Sequence, residues 1–283
     1  MTVALANVKG RASLVVGDHI VDVERATNGK FAADPMAVIG RWDDFTSWAA
    51  GVGPGAATAA LNETELGPPI PRPAKVFAIG LNYKSHAEEG GLPLPGQPMV
   101  FTKFPNCLVG PRADVVLSSG YVDWEVELVV VFGRQARNVP EARAFEVVAG
   151  YCVGQDISDR KLQFSDQPPQ FSMGKSIDTF GPLGPALVSL DGIPDPNDLQ
   201  LTCDVGGERM QDARTSDMVF SVPQLVAHLS RFCTLEPGDI IFTGTPAGVG
   251  SVRTPRRYLK PDEEIVSTIA HLGTLRNRCV SGR

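Results

Sequence analysis

Two glutamates stand one residue apart at the entrance to the most apolar run of the chain, Asp123-Trp124-Glu125-Val126-Glu127-Leu128-Val129-Val130-Val131-Phe132. Read as a strand, the period of two puts Trp124, Val126, Leu128 and Val130 on one face. Glu125 and Glu127 share the other face and lead into Val129 and Val131. Neighbouring carboxylates repel, and desolvating either one is costly, so something cationic must compensate. Hard oxygen donors suit Mg²⁺, Mn²⁺ or Ca²⁺. The competing reading is an edge strand whose glutamates stay in water. A third carboxylate, Asp156, ends the segment Tyr151 to Asp156, where a strand gives way to a polar loop. Three carboxylates with three water or substrate positions would complete an octahedral Mg²⁺ shell. Glycoside hydrolysis also uses paired carboxylates, but on opposite sides of the scissile bond and about 5 to 9.5 Å apart. Two from one strand face approach from the same side.

A second group of reactive residues is Asn82-Tyr83-Lys84-Ser85-His86-Ala87-Glu88-Glu89. One helical turn separates His86 from Glu89, so a short helix would bring the carboxylate to the ring. A histidine oriented by a carboxylate is the general-base half of a hydrolytic site; the plainer reading is a surface histidine. The segment Gly90 to Gly96, hinged by glycine and stiffened by proline, suits a lid. Gly174-Lys175-Ser176 lacks the glycine spacing of a phosphate-binding loop. The turn Thr243 to Gly250 could hold a carboxylate on backbone N–H groups, or serve only as a tight turn.

These residues need a scaffold rich in strands. Short β-type segments run over Lys75–Gly80, Val115–Leu117, Trp124–Gly133, Tyr151–Asp156, Ala186–Ser189, Leu201–Val205 and Ile240–Thr243. Helices are expected at Pro140–Ala149, stopped by Gly150, and at Ser221–Arg231. The latter opens on a capping box and carries Leu225, Val226, Leu229 and Phe232 on one stripe. With 29 glycines and 23 prolines in 283 residues, the chain has many turns. No regular β-α-β alternation appears, so the expected class is a β-rich α+β fold. Residues 1–70 read as a small N-terminal α+β module containing a hairpin around Gly17-Asp18. The stiff stretch Gly67 to Pro73 then marks the boundary to a main domain at 71–283.

Composition excludes whole classes. A net charge of −6 argues against nucleic acid as a partner. The longest apolar run is strand-sized, far short of the ~18 residues of a membrane span. The first residues lack a signal-peptide pattern, which makes the cytoplasm the expected compartment. Five cysteines without a C-x-x-C pair suit reduced, structural thiols.

Taken in order, the motifs resemble the fumarylacetoacetate hydrolase superfamily, especially its two-module branch of the domain-containing protein 2 group. They are Gly80-Leu81-Asn82-Tyr83-(x)2-His86, Asp123 to Leu128, Gly150-Tyr151-(x)4-Asp156-(x)3-Arg160-(x)2-Gln163, Gly174-Lys175 and Thr243-Gly244-Thr245-Pro246. The resemblance runs from about Ala74 to Val280. It implies a mixed β-roll catalytic domain that forms a homodimer, and Mg²⁺ or Mn²⁺ held by Glu125, Glu127 and Asp156. It also implies catalytic work by His86 with Glu89 on a lid, and a Lys175 that stabilises developing negative charge. Arg160 and Gln163 would line the substrate pocket, and Thr245 would contact a substrate carboxylate. One departure touches the substrate. The family commonly reads Asp-x-x-Ala-Arg-Asp-x-Gln, whereas here Asp159 precedes Arg160 and Lys161 follows it.

The expected activity is metal-dependent hydrolysis of a C–C bond in a small 2-oxo or 2,4-dioxo acid. Enolate chemistry at the same site also serves oxaloacetate decarboxylation, tautomerisation and 2-oxo-dienoate isomerisation. A non-catalytic metabolite-binding module is the reading from a different class.

Overall fold

The apolar run around Val129 forms the centre of the molecule because all seven residues of the strand Val126–Phe132 are buried. In the computed structural model, which describes residues 2–282, this strand lies between two antiparallel neighbours, Val148–Gln155 and Ile240–Phe242. They belong to a twelve-stranded mixed sheet. Beyond Val148–Gln155 come Gly181–Ser189, Ala4–Val8, Arg11–Val16 and His19–Asp22; beyond Ile240–Phe242 come Val76–Gly80 and Met99–Thr102. A second, five-stranded sheet is ordered Glu208–Arg214, Gln200–Val205, Glu264–Ile269, Gly273–Ser281 and Val115–Leu117. The two sheets meet where Val126–Phe132 and Val148–Gln155 contact Gln200–Val205 and Glu264–Ile269. The expected β-rich α+β class holds.

The N-terminal hairpin forms as expected, from Arg11–Val16 and His19–Asp22. Residues 1–70 do not build a sheet of their own, however. Ala4 pairs with Val188, so the N-terminal strands prolong the sheet that carries the site. The stretch read as a linker is anchored too: Gly67 pairs with Asn7, and Pro69, Ile70 and Pro73 are buried.

Two local expectations are corrected. Pro140–Ala149 is not an α-helix; a 3-10 turn spans Glu141–Glu146, and the strand Val148–Gln155 begins at once. Gly150 is therefore no helix stop. It lies inside that strand, where an added Cβ would sit 1.9 Å from the Val188 carbonyl oxygen, so only glycine allows the strands to approach. The second helix forms at Val222–Phe232, with the Ser221/Gln224 capping box and Leu225, Val226 and Leu229 buried. Phe232 leaves that stripe at the helix end and is 69% exposed.

Candidate active site

Glu127 lies within the central strand and Glu125 just before it, while Asp156 follows the end of the neighbouring strand. The pairing of Val126 with Gln155 sets the three carboxylates at one sheet end. One oxygen from each lies within 4.8 Å of the others, and all three residues are buried. Glu125 is 6% and Glu127 2% exposed, which overturns the solvated-edge alternative.

Three buried cations surround the cluster. Lys175 Nζ donates to Glu125 Oε2 at 2.9 Å, Asp156 Oδ2 at 2.7 Å and Ser158 Oγ at 2.7 Å. Arg160 pairs with Glu125 through Nη2 at 2.7 Å and with Asp123 through Nε at 2.8 Å, and its Nη1 donates to Gln163 at 2.9 Å. Lys103, which the sequence reading missed, is fully buried. Its ammonium donates to Asp156 Oδ1 at 2.7 Å, to the Lys175 carbonyl and to the Phe180 carbonyl at 3.2 Å. A lysine just past a four-residue strand looks like an ordinary surface residue, and nothing in its sequence neighbourhood marks it otherwise.

Four carboxylates (Asp123, Glu125, Glu127 and Asp156) thus face three cations, and the imbalance falls on Glu127. Burial, with Asp156 and Glu125 nearby, pushes its carboxyl well above the usual range; its hydrogen bond from the Gly244 amide, 2.7 Å, does not offset this. Burial would raise Glu125 as well, but Lys175 and Arg160 outweigh it and hold that carboxyl below its ordinary value. Lys103 follows the same logic with opposite sign: burial disfavours its charge, and Asp156 more than restores it. A divalent cation beside Glu127 would remove the imbalance, and three clustered hard oxygens are a donor set that Mg²⁺ or Mn²⁺ accepts. The residues fit the expected metal.

A cavity of about 300 Å³ opens onto this cluster, lined by Glu125, Arg160, Gln163, Lys175, His86 and Thr245 among others. A larger open groove, about 750 Å³, lies beside His228 and Arg231 and includes none of them. His86 and Glu89 lie on the short helix Lys84–Glu89. His86 Nδ1 is 3.8 Å from Glu89 Oε2, longer than a hydrogen bond, and among the described residues this buried nitrogen has no hydrogen-bond partner. Glu89 does not line the cavity; its Oε2 accepts the Gly248 amide at 3.0 Å. Burial would raise its carboxyl, but His86 and that amide together lower it.

Asn82 fixes the helix to the loop after the Ile240–Phe242 strand. Its side-chain amide donates to Thr243 O at 2.7 Å and Phe220 O at 3.1 Å and accepts from Phe220 N at 2.9 Å. Asn82→Ala is expected to cost about 3 kcal/mol, measurable by urea unfolding, because three hydrogen bonds, one buried and two partly buried, go at once. Thr245 is less free than expected. Its hydroxyl donates to Val126 O at 2.9 Å and accepts from Gln211 Nε2 at 2.8 Å, so a ligand meets an oxygen whose proton is already engaged.

Asp159 and Lys161, the departure from the family pattern, both turn away from the pocket. Asp159 caps the short helix Arg160–Gln163 and accepts from Ser118 at 2.7 Å; Lys161 is exposed. Asp123 does more than the sequence suggested, because besides Arg160 it accepts the amides of Gly250 at 2.7 Å and Ser251 at 3.0 Å. The loop 244–251 is thereby tied to the charged cluster. None of the five free cysteines lines the cavity, and burial raises the thiols of Cys107, Cys152, Cys203 and Cys279.

Residues 75–280, nearly three quarters of the chain, match the family described as fumarylacetoacetate (FAA) hydrolase C-terminal. The chain belongs to that family. Within it, the chain resembles the FAHD2-like branch: human oxaloacetate tautomerase FAHD2A, mitochondrial, is 44% identical over 214 residues, covering 75% of this chain and 68% of the relative. A solved Mycobacterium smegmatis structure labelled HpcE superposes with a TM-score of 0.94 at 47% identity over all of both chains. Maleylpyruvate hydrolase from Sphingobium sp. SYK-6, in complex with manganese(II) and pyruvate, superposes with a TM-score of 0.83 at 30% identity, covering 99% of this chain and all of that one. The named relatives are family enzymes, and this chain is one as well. Among the described residues no helix is long and apolar enough to cross a membrane.

Proposed function

We propose that the enzyme performs enol chemistry at C3 of a 2-oxo acid with the help of Mg²⁺ or Mn²⁺, and that with a 4-oxo substrate it hydrolyses the C3–C4 bond. The supporting observation is that one small cavity, lined by Glu125, Arg160, Lys175 and His86, opens beside the buried cluster that Glu125 forms with Glu127 and Asp156. Glu125, Glu127 and Asp156 are the metal ligands in this reading. A divalent cation held there would supply Lewis acidity, polarising the 2-oxo group and favouring the enolate.

The chain's own groups do the rest. His86, with Glu89 behind it, takes a proton from water. The hydroxide oxygen bonds to C4, the C3–C4 bond breaks, and its electron pair remains on the 2-oxo fragment as an enolate. Protonation at C3 completes that fragment, and the acyl part leaves as a carboxylate. Lys175 and Arg160 stabilise the developing negative charge. In the structure all three Lys175 protons are engaged, by Glu125, Asp156 and Ser158, which fixes the ammonium at the carboxylate cluster. Arg160 and Gln163 orient the substrate. Thr245 contacts its carboxylate through the backbone rather than the committed hydroxyl.

The second reading is tautomerisation alone, favoured by the 44% identity to FAHD2A. It needs a proton moved at C3 but no activated water. His86→Ala is expected to lower C–C hydrolysis about a thousandfold. Hydrolysis at the wild-type rate in that variant would dismiss the water-activating role. Loss of tautomerisation, with no hydrolysis by the wild type, would select the second reading.

A further inference from the structure

Past its charged floor, the cavity wall changes character. Met99, Phe101, Phe171 and Val252 face the space, and Leu92 and Phe164 continue it to the mouth, where they are 49% and 52% exposed. Large apolar side chains left half in water at a cavity entrance mark a surface that a ligand covers. The cations lining the cavity are as telling. Among the described residues, Arg160 and Lys175 are the only lysine or arginine side chains in the wall. Both lie at the floor, already paired with Asp123, Glu125 and Asp156. The remaining polar lining residues besides Glu125 and His86 are Gln163, Thr245 and Ser251. A charged group at the outer end would lose water and meet no counter-charge.

We propose that the preferred substrate is a 2-oxo acid whose tail beyond C3 is uncharged and apolar, alkyl or aryl, rather than one ending in a second carboxylate. This rests on the 2-oxo acid reading above. Oxaloacetate and maleylpyruvate, the compounds in two relatives' names, both carry a second carboxylate, a group for which the apolar wall here offers no counter-charge.

Binding rather than turnover tests the tail by itself. With the Mn²⁺-loaded full chain, calorimetry compares 2-oxooctanoate with 2-oxosuberate, acids of equal length that differ in a terminal carboxylate. The octanoate is expected to bind at least roughly tenfold tighter. Affinity along the series from 2-oxobutanoate to 2-oxooctanoate is expected to rise roughly fourfold per methylene until the tail passes the mouth. Phe164→Arg should shrink the preference by placing a cation at the rim. Equal or tighter binding of 2-oxosuberate to the wild type overturns the proposal and leaves the 2-oxo acid chemistry standing. If Mn²⁺ binds but no 2-oxo acid does, the functional reading falls, and this proposal with it.

Discussion

Glu127→Gln is expected to abolish the proton released when Mn²⁺ binds, and to weaken binding on the order of a hundredfold. In the wild type, Glu127 is the buried carboxylate left without a cation, and its raised proton affinity means that a metal must displace a proton. Wild-type Mn²⁺ affinity should therefore climb about tenfold per pH unit below the Glu127 value and level off above it. Calorimetry in buffers of different ionisation enthalpy counts the proton. The same group sets a stability slope in the metal-free protein. A carboxyl raised in the folded state contributes stability below its unfolded value, and this is lost as pH rises through the folded value. Metal-free wild type should lose stability as pH climbs from the ordinary carboxylate range into that of Glu127. The glutamine variant should lack this component, which urea unfolding of both proteins across pH would show. An unchanged proton count in the variant would place the released proton elsewhere.

Lys103→Met is expected to destabilise the protein by about 3–5 kcal/mol, the usual range for breaking a buried ion pair by removing one partner. Methionine fills similar space but leaves Asp156 Oδ1 and the carbonyls of Lys175 and Phe180 without their shared donor. A structural lysine and a site-organising one differ in a further measurement. Lys103 bonds both a carboxylate of the triad and the backbone of Lys175, so Mn²⁺ affinity should fall in the variant molecules that remain folded. Denaturant unfolding combined with Mn²⁺ titration reads both effects. A loss below 1 kcal/mol with unchanged metal affinity would contradict the role drawn for it.

The part of the site legible in the sequence is the part written in alternation. Glu125 and Glu127 interrupt an apolar strand at a spacing that must put them on one face, and Asp156 closes the adjacent segment. What escaped was held by contacts between distant segments. Lys103 is 53 residues from Asp156 and 72 from Lys175. Gln155 and Gln211, which accept the amides of Glu125 and Val126 and so fix the strand entrance, are likewise remote. The misread helix at Pro140–Ala149 has the same origin. Its proline start and glycine end satisfy a local helix pattern, yet Gly150 is selected by the Val188 carbonyl packed against it. The nine-residue strand Gly181–Ser189 was read only from Ala186, because Pro182 and Pro185 look like breaks until a bulged pairing with Val148–Gln155 accommodates them. Fold class was robust to such errors, since a strand-rich chain without β-α-β alternation leaves few alternatives.

Turnover before and after removal of divalent metal tests the central claim most directly. The full chain, stripped by chelator and dialysed, is assayed on a 2,4-dioxo acid with an alkyl tail, and then again after Mn²⁺ is restored. The arrangement of Glu125, Glu127 and Asp156 predicts turnover at least a hundredfold lower without metal and full recovery with it. Undiminished turnover by the stripped enzyme in chelator would contradict it.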